Sequence, residues 1–418
     1  GKIEVSNWVN SQNVISIGSG GNYFHAKSLH IDVTTTGGNN STPMNVIYAE
    51  SVREPTLEDI MIHPNTGIRG IYLVRPSGAT LRGIKIRSDI TTFGTGQRGC
   101  YEAIRTVGGR TITLEDVKVL GLGTLTTAEM NEVLVFQGDP LVTTGEGDYT
   151  NLSVNDVTIA KCASPKLISL LGVIGFKVRG INLEDPLGAI AASGEAGIFI
   201  TSEDDTSTYP AGVSVEDKIC GAGIISDVVC ESLATGAGRC MYIKDCKKVD
   251  IDMLHIHSPT NAPTAFITVN CDRSRLLNFG ELHFNGDNTN SLYGIDFECA
   301  AAPNIRGVSV IGPAHFSGLT IGLCPPREPA VLFNGGAGCS YDDGSENYTH
   351  NLGNGPIPYA AAPRAILDTS ALIAAGTSIA MSVVNVPTVT KYTDSLTGSA
   401  NYAALIVANK INRLISGF

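Results

Sequence analysis

Asp272, Asp296 and Glu298 are three acids that a repeated spacing brings toward one patch of surface. Carboxylates held close together cannot all ionise freely, because like charge raises the proton affinity of one of them. A protonated acid beside an ionised one suits glycoside hydrolysis: one protonates the leaving oxygen, the other acts as base or nucleophile. Separations of about 5–5.5 Å favour retention and about 6.5–9.5 Å inversion, and the expected trio offers both. Tyr242, Lys244 and Asn270 flank it, and Arg105 holds an equivalent place on an earlier coil, so these four are candidate sugar contacts. Glu203, Asp204 and Asp205, in the polar stretch Thr201-Ser-Glu-Asp-Asp-Thr-Ser-Thr-Tyr-Pro210, form a second acidic candidate, with Asp204 and Asp205 as further candidate contacts. A solvated edge, or a Ca²⁺ site of carboxylates with Asn, competes with catalysis for the trio. No cofactor or resident metal is expected.

His255 and His283 offer a different chemistry. They fall at equivalent outward places on adjacent coils, with Lys85 and Lys118 in the same column farther along. Stacked imidazoles could supply the base of a polysaccharide lyase, with nearby cations neutralising a uronate. The plainer reading makes them surface or subunit-interface residues.

Both placements rest on a repeat. The pattern apolar-x-(Asp/Gly)-apolar-x-apolar recurs from Leu57-Glu-Asp-Ile-Met-Ile62 to Ile305-Arg-Gly-Val-Ser-Val310. All three apolar positions hold in nine copies of nine, and Asp or Gly in seven, which is too regular for chance strands. A second strand precedes most copies at an offset of 13 residues, as from Ile71 to Ile84, Met241 to Leu254 and Val269 to Leu282. Two strands locked at one offset and repeated predict a coil that stacks on itself, a parallel β-helix. Apolar side chains point inward and their neighbours outward. On that register Tyr72, Arg105, Ser169, Tyr242, Asn270 and Asp296 share one outward column, and Lys244, Asp272 and Glu298 another.

Composition agrees with an all-β chain. The 418 residues include 47 Gly and only 17% charged residues, with Val, Ile, Thr, Ser and Asn filling the gap. Such a mixture is poor in helix formers and rich in β-branched and turn residues. An apolar content of 43% can build a large core, which argues against disorder. The net charge of −11 disfavours nucleic acid and anionic membrane surfaces as partners. No apolar run is long enough for a membrane span, so no membrane insertion is expected. Ten cysteines without metal-ligand spacing read as buried free thiols of a protein folded under reducing conditions.

Residues 1–50 are expected to cap the coil, 51–340 to form the helix, 341–359 to be a linker and 360–418 a small β-rich C-terminal domain. Insertions cluster at about residues 87–101, 120–131, 137–150 and 184–214, and repeated insertions on one side of a solenoid often build its binding face. Gly1 in place of Met suggests a missing N-terminal piece.

With these nine copies, one-sided insertions and a distinct C-terminal segment, the chain resembles the tailspike proteins of bacteriophages. These are homotrimers of right-handed single-stranded parallel β-helices, in the pectate-lyase-like superfamily, that bind and often cleave bacterial surface polysaccharide. The resemblance covers roughly residues 40–340 for the helix and 360–418 for a trimerising cap, and it lies in architecture, not in a specific motif. It implies a glycan depolymerase of the virion, folded in the host cytoplasm, acting outside the bacterium and joined to the phage tail or baseplate through its N-terminal side. Gly-His-Gly and Arg-Ile-Lys strings like those of polygalacturonases are absent, which weakens a pectin-type reading. A lyase and a non-catalytic adhesin remain alternatives, since a fold does not decide function.

Overall fold

The computed structural model describes residues 1–5, 13–18, 22–33, 44–64, 67–88, 100–121, 130, 132–139, 149–162, 164–184, 196–202, 219–231, 239–244, 246–257, 265–270, 275–285, 293–298, 306–310, 314–317, 321–324, 339–342 and 349–352. Every regular element among them is a strand, and the strands alternate between two sheets. Sheet A begins at Lys2–Val5 and continues through His25–Val33, Thr56–His63, Thr80–Arg87 and Gly109–Leu120. Sheet B begins at Asn13–Ile17 and continues through Met44–Glu50, Ile68–Val74 and Glu102–Val107 to Ile321–Cys324. Neighbours within each sheet are parallel; the one antiparallel pair among the described strands joins Cys339–Asp342 to Thr349–Leu352. A chain that visits two parallel sheets in turn is compatible with a parallel β-helix. Both sheets run through residue 51 without a break, since His25–Val33 pairs with Thr56–His63 and Met44–Glu50 with Ile68–Val74.

The repeated Asp/Gly position has a backbone cause. Asp59, Gly83, Asp116, Asp156, Gly180, Asp227 and Met253 all have φ between 50° and 65°. The strands of sheet A bend there through the left-handed region, where glycine is at ease and a short polar side chain is tolerated. Ser28 has φ 54° in Ala26-Lys-Ser-Leu-His-Ile31, so an earlier copy precedes the nine; its Ser hid it from an Asp/Gly pattern.

Sheet B bends differently. Val46 and Ile47, Ala103 and Ile104, Val133 and Leu134, Leu167 and Ile168, and Phe266 and Ile267 are consecutive, and all of them are buried in the core. Two inward residues in a row reset the alternation, so the outward positions on either side stand three apart, not two. Ile71, Ile104, Leu134, Ile168, Ile198, Met241, Ile267 and Ile295 form one continuous inward ladder.

That ladder corrects the expected register at one coil. Met241 pairs with Ile267, not Val269, and Ile267 pairs with Ile295. Leu254 still pairs with Leu282, so the inward-to-inward step grows from 13 residues to 15. The two extra residues lie between Ala265–Asn270 and Arg275–Phe279, a gap that contains Asp272. A second shift follows: Val308 pairs with Leu277, and Ala314 takes the place opposite Leu282. A connection longer by two residues leaves both flanking strands apolar and alternating, so pattern alone does not reveal it.

The cysteines agree with the composition. Cys100, Cys162, Cys220, Cys230, Cys240 and Cys246 are buried, filling the core as small apolar groups. No helix among the described residues is long and apolar enough to cross a membrane.

Candidate functional site

The outer face of sheet B carries an extended polar and aromatic constellation. Its central column, strand by strand, is Tyr48, Tyr72, Arg105, Val135, Ser169, Phe199, Tyr242, Thr268 and Asp296. The reset alternation places a second outward column three residues earlier, with Asn45, Arg69, Glu102, Glu132, Lys166 and Arg239. Side chains three apart therefore meet across the bend, as Glu102 and Arg105 do at 2.8 Å.

A chain of polar contacts crosses five strands of this face. Asn45 donates to Asn13 at 2.8 Å, and Arg69 donates through Nη1 to Asn45 at 3.1 Å. Arg69 Nε also donates to Glu102 Oε2, while Arg105 reaches Glu102 Oε1 and, through Nη2, Gln137. Glu102 is fully buried, and two guanidinium groups offset the cost of desolvating its charge. Burial works against the Arg105 charge, but Glu102 beside it outweighs that effect and holds Arg105 above its ordinary pKa. Burial raises the Tyr101 phenol, with Glu102 adding to it.

Cations lie over rings along the same face. The Arg69 guanidinium is 4.4 Å from the Tyr72 ring centre and 5.4 Å from that of Tyr101. Lys166 lies 4.1 Å above Phe199, and Arg239 lies 4.8 Å above Tyr242. Tyr48 packs on Tyr72 at 5.7 Å, and Phe199 on Tyr242 at 5.6 Å. These contacts fix flat rings and charged donors on a rigid scaffold, so little side-chain entropy remains to be lost on binding.

Two polar atoms in the middle of the face lack a hydrogen bond. Glu132 pairs with Lys166 through Oε1 at 3.3 Å, but its Oε2 is buried without a partner, as is Oγ of the fully buried Ser169. Buried polar atoms are rarely left so, and each unsatisfied one calls for an explanation.

The sequence-predicted residues divide. Arg105 and Tyr242 lie on this face as expected. Lys244 directly follows the paired Ile243, which carries it toward the level of Asn270; its N–H donates to the Ile200 carbonyl at 2.8 Å. Asp296 and Glu298 keep the two-residue spacing on one strand, but their partners change: Asp296 pairs with Thr268 and Glu298 with Asn270. Asn270 therefore leaves the column of Tyr242 and Asp296 and joins that of Glu298. Asp272, Asp204 and Asp205 lie outside the described residues, as do residues 89–99, 122–129, 140–148, 185–195 and 203–218, where most of the expected insertions fall. Glu102, Glu132, Lys166 and Arg239 were missed, because strict alternation points the residue three before the column inward. The sequence signal for them is a charged residue three before an outward aromatic or Arg, as in Arg69-x-x-Tyr72, Glu102-x-x-Arg105 and Arg239-x-x-Tyr242.

On sheet A, His255 and His283 are register partners with rings stacked at 4.7 Å and 5° between planes. Glu281 Oε1 is 2.6 Å from His283 Nε2. Lys85 and Lys118 share that outward ladder, and His315 takes the next backbone place beyond His283. No family model matches the chain, and no curated protein matches it in sequence.

Proposed function

We propose that the protein binds and hydrolyses a bacterial surface polysaccharide, laid along the outer face of sheet B. One observation carries this reading: the row of cations over aromatic rings from Tyr48 to Tyr242. Pyranose rings present an apolar face and a rim of hydroxyls, and half-buried tyrosines with Arg and Glu at their edges complement both. Stacked strands about 4.8 Å apart repeat such contacts along a line, which suits a long polymer over a small ligand.

Asp296 and Glu298, on the same sheet beyond Tyr242, are the proposed acid and base. They stand two residues apart on one strand, a backbone step of about 6.5–7 Å. In this reading the protein is a trimeric phage tailspike: its coils close as a right-handed β-helix, and its C-terminal segment caps and trimerises. The polysaccharide is a capsule, exopolysaccharide or O-antigen.

Reducing ends released from purified capsule or O-antigen measure the activity. Replacing Asp296 by Asn and Glu298 by Gln should abolish release while leaving glycan binding. Replacing Arg239 and Tyr242 by Ala should weaken binding at least tenfold. Unchanged turnover in the acid variants overturns the catalytic assignment; binding without any change in polymer size makes the protein an adhesin.

The stacked His255–His283 pair with Glu281 favours one second reading, β-elimination on sheet A. A rise in ultraviolet absorbance from an unsaturated uronate product, lost in His283→Ala, would select it.

A further inference from the structure

We infer that His30, Asp32 and His63 form a binding site for a divalent transition-metal ion. His30 and Asp32 stand two apart on the strand His25–Val33, so their side chains share one face. Asp32 is the register partner of His63 on the next coil of sheet A. Stacking thus brings together ligands that are 33 residues apart in sequence (63 − 30), wider than the local Cys/His spacings that mark zinc sites in a sequence.

The geometry is that of a shared centre. Asp32 Oδ1 lies 2.9 Å from His30 Nε2 and 3.0 Å from His63 Nδ1. All three ligand atoms fall within 4.8 Å of one another. Those distances could belong to hydrogen bonds, yet His30 Nε2 and Asp32 Oδ1 are buried atoms that make none. The atoms are close but not aimed at each other. Bonds of about 2.0–2.1 Å to a common ion place neighbouring ligand atoms about 2.9–3.4 Å apart, which matches both His–Asp distances. The rings meet edge to face, with centres 4.9 Å apart and 80° between planes, so a central ion can lie near both ring planes.

The surroundings support the same reading. Lys2 binds the other oxygen, Asp32 Oδ2, at 3.1 Å, orienting the carboxylate while leaving Oδ1 toward the histidines. Two imidazoles and one carboxylate suit Zn²⁺, Co²⁺ or Ni²⁺ better than Ca²⁺ or Mg²⁺, which prefer all-oxygen shells. The second His/acid cluster among the described residues, His255, Glu281 and His283, is built otherwise. Its rings stack face to face, and its carboxylate is hydrogen-bonded to His283. The first site joins two neighbouring coils, so a bound ion is a clip that fastens the N-terminal end of sheet A.

Full-length protein stripped with a chelator and titrated with Zn²⁺ by calorimetry tests this, with Co²⁺ visible absorption reporting on the ligand shell. One saturable site is expected, with a rise in Tm under saturating Zn²⁺. Asp32→Asn and His63→Gln should each weaken binding at least tenfold. Circular dichroism and the metal-free Tm of these variants show whether the fold survives; His30→Gln provides an independent variant if either fails. No saturable binding of Zn²⁺ or Co²⁺ overturns the proposal. So does binding that survives in the His30→Gln/His63→Gln double variant, or that is lost instead in His255→Ala/His283→Ala.

Discussion

Arg69 and Glu102 form an ion pair across adjacent strands of sheet B, and the Glu102 carboxylate is completely buried, with Arg105 on its other oxygen. Removing one partner of such a pair strands a charge away from water. Glu102→Ala is expected to cost about 3–5 kcal/mol, read as a lower denaturant midpoint. Replacing Arg69 as well, in Arg69→Met with Glu102→Leu, should recover the part of that cost an unpaired Arg69 causes, while Arg105 still loses its carboxylate. If the double variant is as unstable as Glu102→Ala, an unpaired Arg69 is not the cause.

Bends in sheet A make a second prediction. Met253 adopts φ 50° at a place where Asp or Gly usually stands, and its side chain is exposed. Relief of left-handed strain exceeds the entropy lost to glycine, so Met253→Gly should stabilise by about 0.5–1 kcal/mol. Asp156→Val, which puts a β-branched residue at φ 55°, should destabilise by at least about 1–2 kcal/mol. Thermal melting of the two variants should therefore shift in opposite directions.

Tyr48 makes alkaline stability testable. Burial, with the hydrogen bond to Glu50 adding to it, pushes its phenol from the usual 10 up to about 12. Below pH 10 the phenol is neutral in both folded and unfolded chains, and its contribution is fully present. Between pH 10 and about 12 the unfolded chain loses this proton first, so stability falls as pH rises through that window. Tyr48→Phe should reduce the alkaline loss, by a small amount because the side chain is partly exposed. It should also remove a component of the tyrosinate absorbance that appears near pH 12. An unchanged titration curve would contradict the shift.

The buried cysteines give a reactivity prediction. Cys230 is held well above its ordinary pKa by a hydrogen bond with Cys240 and by burial, so its thiolate is suppressed. The six described cysteines should resist alkylation in the native protein and react together on unfolding, as mass spectrometry would show. Rapid native labelling of Cys230 would count against this packing.

A repeated choice of residue type made the coil legible: three apolar positions for the core and Asp or Gly where the backbone turns left-handed. Met253 and Ser28 show the limit of that signal, since the backbone imposes the same φ on residues that do not advertise it. The candidate face was partly legible: Arg105, Tyr242 and the Asp296/Glu298 spacing follow from alternation. Glu102, Glu132, Lys166 and Arg239 did not, because two successive inward residues at the bend move the outward position by one.

Local pattern, then, determined what each strand is: its apolar face, its turn, its place in a repeating coil. Which strands' residues become neighbours was decided by the stack. A connection longer by two residues leaves every strand's own alternation intact, yet moves Asn270 from beside Asp296 to beside Glu298. The same stacking sets His63 against Asp32 across 31 residues of chain (63 − 32). Side-chain period is a property of one strand, whereas register is set by hydrogen bonds between two, and only the folded coil contains both.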